Sequence, residues 1–382
     1  MTTSPASDVL VIGGGIIGTA IAERVARDGY SVTLLERRTI GGEASWAAAG
    51  LLTPVHPWNY PESLLRLDAE GLALWGPLAE RLRDETGVDV ELRRTGLLSL
   101  IESDDDAAEA DRRVAWKHEH GERAERISAD DARRLEPSLA PTIRGALLLP
   151  DLAQLRNHRA APALGVAAAR RGARMVEHTA VLGLLTDGAA GLGATPAVAR
   201  LGDRVIGVAT EIGPIHAGTV VLAGGAWSGA LLGASCPPAI RTVPCRGQMM
   251  QLRAKPGALR HMILASGEYL VPRADGRILA GSTVEHVGFD RSVTASGLAS
   301  ISAAVARMAP SLAAAPVERS WAGLRPDTPD HLPCIGAIRP GLIAATGHFR
   351  SGIMLAPVTA EIVLDIVRGR PRTDLGAFDP LR

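Results

Sequence analysis

The chain has 382 residues, 46% of them hydrophobic, which is enough for two domains of ordinary size with a core each. Lys plus Arg and Asp plus Glu number 41 each, so no overall field draws in nucleic acid or an anionic membrane, and partners must be sought in local sites. Cys236, Cys245 and Cys334 show no CxxC spacing, which argues against a disulfide framework or a structural zinc and points to a reducing cytoplasm.

Met1 to Asp8 has no basic n-region, so no signal peptide is read there, and no run of about 18 apolar residues offers a membrane span. Asp8-Val9-Leu10-Val11-Ile12 reads as a central parallel strand covered on both faces. It stops at Gly13-Gly14-Gly15. Ile16, Ile17, Ala20, Ile21 and Val25 then recur at helical spacing, Asp28-Gly29 ends the helix, and Ser31 to Leu35 makes a second strand closing on Glu36. Strand, glycine turn, helix, strand and acid together form the full context of a dinucleotide fingerprint. Gly13 makes the tight turn, Gly15 lets the backbone approach a pyrophosphate, and Gly18 lets the helix pack on the sheet. Glu36 accepts from the adenosine ribose hydroxyls; Arg37 and Arg38 beside it soften the case against a 2′-phosphate. The fingerprint alone does not choose between NAD and FAD. Ile40 to Leu52, which holds Ala44, Ser45, Ala49, Gly50 and Leu51, is a run of small residues suited to lying against a flat ligand, the alternative being an Ala-rich loop and short helix with none.

Pro61 to Thr86 reads as a helix with a kink or break at Pro77. Val88 to Ile101 holds two short strands around Arg94-Thr95-Gly96, and the densely charged Asp104 to Arg126 is a solvated helix with His118 and His120 in water. Arg156 to Arg171 is an Ala-rich helix leading to strands near Met175, at Val181 and over Val205 to Val221, with a Gly/Ala loop from Asp187 to Ala197. Cys245 to Leu252 and Glu268 to Val284 are strands, the latter turned at Ala274-Asp275-Gly276. Ala295 to Met308 is a helix, and Pro371 to Arg382 a tail over the surface. No internal repeat appears.

The fingerprint, Gly42-Glu43-Ala44-Ser45-Trp46-Ala47-Ala48-Ala49-Gly50-Leu51-Leu52, Val220 to Ser228, Ser320-Trp321-Ala322-Gly323-Leu324-Arg325-Pro326 and Gly347-His348-Phe349-Arg350-Ser351-Gly352-Ile353 stand in order along the chain. Together they resemble the FAD-dependent D-amino acid oxidase superfamily, and within it are most similar to its glycine oxidases of thiamine biosynthesis. The resemblance implies an α/β fold: a Rossmann-type FAD-binding domain assembled from residues 1–90, 150–232 and 322–382. A second α+β domain on an antiparallel sheet, from 91–149 and 233–321, binds substrate. It implies non-covalent FAD, oxidation of glycine, sarcosine or small D-amino acids by hydride transfer, and release of a 2-oxo acid, ammonia and hydrogen peroxide. Molecular oxygen is the acceptor, with a homo-oligomer and a functional link to thiazole synthase. The alternatives are a D-amino acid dehydrogenase with another acceptor and a non-catalytic flavin subunit of an amine-oxidising complex.

No nucleophile is needed for such a reaction, because the cofactor carries the redox chemistry. Arg325, between mostly small residues and Pro326, is the expected bidentate partner of the substrate carboxylate, against the alternative of an ion pair with Asp327 or Asp330. By resemblance Tyr269 gives the carboxylate a second hydrogen bond, and Val181 and Gly225 border the cofactor. If Ala344 to Thr346 ends a strand and Ser351 to Val367 is a helix, the loop between them sets a helix N-terminus at the flavin ring, where reduction builds negative charge. Arg350 adds a full positive charge there; His348, Phe349, Ser351, Gly352, Ile353 and Met354 line the ring. Gly267 and Val284 stand where members of the family often carry His and Met, which implies an enlarged substrate pocket. No metal site is expected.

Overall fold

The computed structural model describes residues 6–53, 60–188 and 203–382. The expected loop from Asp187 to Ala197 falls outside these residues from position 189 on, as does the chain before residue 6.

The chain opens with β1 (Ser7–Ile12), α1 (Ile16–Arg27) and β2 (Val32–Leu35). α2 (Ala44–Ala47) and β3 (Leu51–Leu52) follow, then α3 (Glu62–Thr86), β4 (Arg93–Arg94), β5 (Leu97–Ile101) and α4 (Asp104–Glu119). Next come β6 (Glu125–Ser128), α5 (Ala129–Leu135), β7 (Gly145–Leu149), β8 (Ala153–Gln154) and α6 (Asn157–Arg170). β9 (Arg174–Val176), β10 (Val181–Thr186), β11 (Val205–Thr210), β12 (Gly213–Leu222) and α7 (Ser228–Leu232) lead to the long β13 (Val243–Arg253). The last third holds β14 (Met262–Ala265), β15 (Glu268–Pro272), β16 (Arg277–Gly281), α8 (Ala295–Met308), β17 (Val317–Asp327), β18 (Cys334–Arg339), β19 (Leu342–Thr346) and α9 (Gly352–Val367).

Two large sheets organise these elements. In the first, β1 lies parallel between β12 and β2, and β19 joins the other edge of β12 in parallel. Alternation sorts its side chains: Val9, Val11 and Leu34 pack under α1, α3, α6 and α9, while Leu10, Ile12 and Leu35 pack with Val208 and Ile215 on the other face. The second sheet runs β17-β13-β16-β15-β14-β5-β7-β6. Met250, Leu270 and Ala280 meet Ile301, Val305 and Met308 of α8 on one face. Met249, Val271 and Leu279 turn the other way, toward Ala49 and Leu51. That face roofs the candidate site. β3, β8 and β4 form a small third sheet.

Four expectations change. α3 passes through Pro77 without a break, because Trp75, Leu78 and Leu82 around it are buried and hold the helix in place. The strand expected to reach Val284 ends at Gly281. Ala322–Asp327, expected in the first domain, are the second half of β17 and belong to the second sheet. The C-terminal tail is docked: Phe378 is 1% exposed among Leu64, Ile335 and Leu355, and Arg372 and Arg382 pair with Glu70 and Asp330. Among the described residues no helix is long and apolar enough to cross a membrane, and no cluster of His, Cys, Asp and Glu is placed to hold a metal.

Candidate functional site

A long cavity with about 1810 Å³ of empty space, part of it open to solvent, runs from the first sheet to the face of the second. At one end the turn after β1 is shaped by glycine. Gly13 has φ +107°, and a Cβ there would stand 2.5 Å from the Ala223 carbonyl oxygen. A Cβ on Gly18 would stand 1.9 Å from the Gly13 oxygen, so Gly18 serves packing and does not border the cavity. Gly15, Ile16 and Ile17 do border it, at the N-terminus of α1. Ser45 Oγ accepts from Ile16 N at 2.8 Å, which ties the small-residue segment to the helix start.

Glu36 lines the cavity at the end of β2 and is 7% exposed. Its Oε2 accepts from Gly14 N at 2.7 Å and its Oε1 from Arg38 N at 2.8 Å, so the carboxylate is aimed by backbone amides. Arg37 stacks 3.7 Å over the Trp227 ring and pairs with Glu43 at 2.9 Å; all three residues line the cavity. Ala44, Ser45, Ala49, Gly50 and Leu51 form one wall, with Val181 and Gly225 farther along. That wall is held by two residues the sequence reading passed over. Asn157 Nδ2 donates to the Ser45 and Trp46 carbonyls at 2.7 and 2.9 Å, and Arg273 Nη2 to the Ala49 carbonyl at 2.9 Å.

β19 ends at Thr346, whose hydroxyl meets Ser228 Oγ at 2.7 Å, and the chain turns through Gly347–Ser351 into α9. Phe349 takes φ +43° and donates its N–H to the Pro326 carbonyl at 3.1 Å. His348, Phe349, Arg350, Gly352 and Ile353 border the cavity; Ser351 and Met354, expected with them, do not. Ser351 is the N-cap of α9, with no side-chain cap, and Met354 is buried in the core under α3. His348 is buried with Nε2 3.0 Å from Thr359 Oγ1, and burial pushes its pKa down to about 3, so it is neutral. Arg350 is exposed and pairs with no acid among the described residues.

The remaining wall is the second sheet. Tyr269 on β15 and Arg325 on β17 both border the cavity. The Tyr269 hydroxyl meets Met249 Sδ at 3.3 Å. Arg325 Nη2 donates to Ser282 Oγ at 2.6 Å and Nη1 to the Thr283 carbonyl at 3.3 Å. The alternative ion pairs are absent: Asp327 bonds His331 at 2.6 Å and Asp330 takes Arg382. Gly267 and Val284 do not border the cavity. A Cβ on Gly267 would meet nothing within 4 Å and Val284 is 48% exposed; the wall of the cavity here is Gly247, Met249 and Ser282. Those three were not singled out from sequence, although a glycine inside a strand, as at Gly247, is a signal of close approach. No cysteine borders the cavity.

The model of the family described as FAD dependent oxidoreductase, DAO, matches residues 8–366. A glycine oxidase of Pseudomonas aeruginosa is 37% identical over 379 residues, covering 97% of this chain and 98% of that protein. A protein of Nostoc sp. named bifunctional protein ThiO/ThiG is 31% identical over 94% of this chain, which spans 52% of it. The crystal structure of glycine oxidase from Geobacillus kaustophilus superposes with a TM-score of 0.90 at 33% identity, covering 99% of both chains. The chain therefore belongs to the DAO family of FAD-dependent oxidoreductases.

Proposed function

We propose that the protein is an FAD-dependent oxidase of glycine and similarly small amines, including sarcosine and small D-amino acids. The observation that carries this reading is that one cavity joins a dinucleotide fingerprint at one end to Arg325 and Tyr269 at the other. The walls fit FAD. The first turn admits no side chain at Gly13, the start of α1 has no acidic residue in its first turn, and Glu36 offers a carboxylate at the end of β2. In this reading the start of α1 holds the pyrophosphate through the amides of Gly15 and Ile17, with the Ile16 amide engaged by Ser45 Oγ, and Glu36 holds the adenosine ribose. Residues 44–51, Val181 and Gly225 flank the cofactor, and His348 to Ile353 border its ring. The reading takes the cofactor as non-covalently held, and no cysteine borders the cavity.

FAD held there would supply the acceptor for hydride from the α-carbon of the amine and the route for its electrons to oxygen. The rest belongs to the chain. Arg325 presents its planar fork to the substrate carboxylate, and the Tyr269 hydroxyl gives a second hydrogen bond. Arg350, which pairs with no acid among the described residues, and the N-terminus of α9, which carries no acid in its first turn, set a positive potential at the end of the cavity where negative charge develops. His348, held neutral by burial, adds no charge of its own, so that potential comes from Arg350 and the helix. The imine product leaves and takes up water, giving a 2-oxo acid with ammonia, or with methylamine where sarcosine is the substrate.

The name ThiO/ThiG of the Nostoc relative supports a functional link to thiazole synthase. The free thiols of Cys236, Cys245 and Cys334 suit the cytoplasm, and the exposed Val284, Val287, Phe289 and Val293 suit a homo-oligomer. The deciding experiment is anaerobic. Glycine, sarcosine or D-alanine added to the FAD-loaded protein is expected to bleach the visible flavin spectrum, and air to restore it with peroxide. A spectrum that none of the three changes would overturn the proposal.

A further inference from the structure

Arg325 does not stay over its own strand. β17 neighbours β13, and β13 neighbours β16. Yet the Arg325 guanidinium meets Ser282 and Thr283, which follow directly after β16 ends at Gly281. To reach them it crosses the full width of β13, roughly 10 Å for two strand spacings. It crosses at Gly247. A Cβ on that residue would lie 2.3 and 2.5 Å from the two Nη atoms and 2.6 Å from Cζ. No side chain but hydrogen leaves the passage open. The far anchor is fixed in turn: Gln248 N donates to Thr283 Oγ1 at 2.9 Å, which keeps Ser282 and Thr283 alongside β13 after the ladder has ended.

The anchor has a chemical character. A hydroxyl and a carbonyl orient the guanidinium without neutralising it, and no carboxylate among the described residues pairs with Arg325. The fork has five N–H donors, so those not engaged remain for an anion. Ser282 borders the cavity and its oxygen accepts from Arg325, while its own O–H has no protein acceptor among the described residues.

We propose that Ser282 is a positioning residue: it fixes the Arg325 fork across the bare backbone of Gly247 and so sets the affinity for the carboxylate of small amino acids. The inference rests on the reading of Arg325 as the carboxylate partner. A hydrogen bond to a charged group is worth enough that its loss weakens binding by about tenfold or more.

The test uses the FAD-loaded protein and acetate, a carboxylate that cannot be oxidised, read as a perturbation of the flavin spectrum, together with KM and kcat for glycine. In Ser282→Ala the acetate Kd and glycine KM are expected to rise about tenfold. Its kcat, FAD content and unfolding midpoint are expected to stay near wild type, a split that a merely structural role would not give. Ser282→Asp, which neutralises the fork, and Arg325→Ala are expected to lose acetate binding altogether. Acetate binding to Ser282→Ala as tight as to wild type sinks this inference alone. A wild-type protein that binds no acetate sinks it together with the carboxylate reading of Arg325.

Discussion

His348 shows how burial sets the state of a single residue. It is 4% exposed, its ring nitrogen meets a hydroxyl, and desolvation pushes its pKa from 6.5 down to about 3. Between those values the unfolded chain takes up a proton that the folded chain refuses. The contribution to stability is therefore whole above about pH 6.5 and is lost as pH falls toward 3. From pH 7 to pH 5 this residue alone is expected to cost about 2 kcal/mol. His158, pushed down to about 4 by burial and then by neighbouring arginines, acts in the same direction. Urea midpoints at the two pH values should fall steeply for wild type and less for His348→Asn; equal slopes would show that His348 takes up its proton alike in the folded and unfolded chains. The position of His348 beside Phe349 and Arg350 was legible from sequence. Its neutrality was not, because that depends on Thr359 of α9 and on how tightly the loop is covered.

At the scale of elements, the wall from Ala49 to Leu51 is held by a residue far away in sequence. Arg273 follows β15 directly and donates to Gln154 Oε1 of β8 at 2.7 Å, to the Leu155 carbonyl at 3.0 Å and to the Ala49 carbonyl at 2.9 Å. Burial lowers its pKa to about 10, so it stays charged at neutral pH while satisfying acceptors from two other segments. Gly50 sits in the same junction at φ +69°, with no room for a Cβ against the Leu155 oxygen at 2.0 Å. Arg273→Leu strands these acceptors and is expected to cost about 3 kcal/mol and to weaken FAD binding, read as a lower urea midpoint and a higher FAD Kd. An unchanged FAD Kd would show that the wall holds without it. The small-residue run was recognisable as a backbone meant to lie close to a ligand; its clamp was not, since nothing in Val271-Pro272-Arg273 announces a contact with Ala49.

For the whole molecule, the consequence is linkage. The cavity takes walls from both large sheets and from segments as distant as Gly13 and Ile353. A cofactor filling it stabilises the folded state by mass action, about 2.7 kcal/mol at a free concentration one hundred times its Kd. Protein stripped of FAD is expected to unfold at lower temperature than the loaded protein, with a midpoint that climbs with the logarithm of added FAD. A midpoint indifferent to FAD would mean that the cavity is not its site.

Sequence alone determined what local rules govern. The β-branched run, the glycine turn and the acid after β2 specify a nucleotide turn because φ, strand burial and helix packing act within about thirty residues. The same holds for the β15–β16 hairpin at Asp275-Gly276 and for the helix after Arg350. The tertiary structure decided what long-range packing governs. That Phe378 docks the tail under α3, that α3 survives Pro77, and that Val284 faces water all follow from which surfaces remain to be covered once the sheets have formed. So does the path of Arg325. Its bidentate chemistry could be read from the residue, but its direction across Gly247 to Ser282 depends on β13 lying between β17 and β16, and strand order in a sheet is set by pairing partners nearly eighty residues apart.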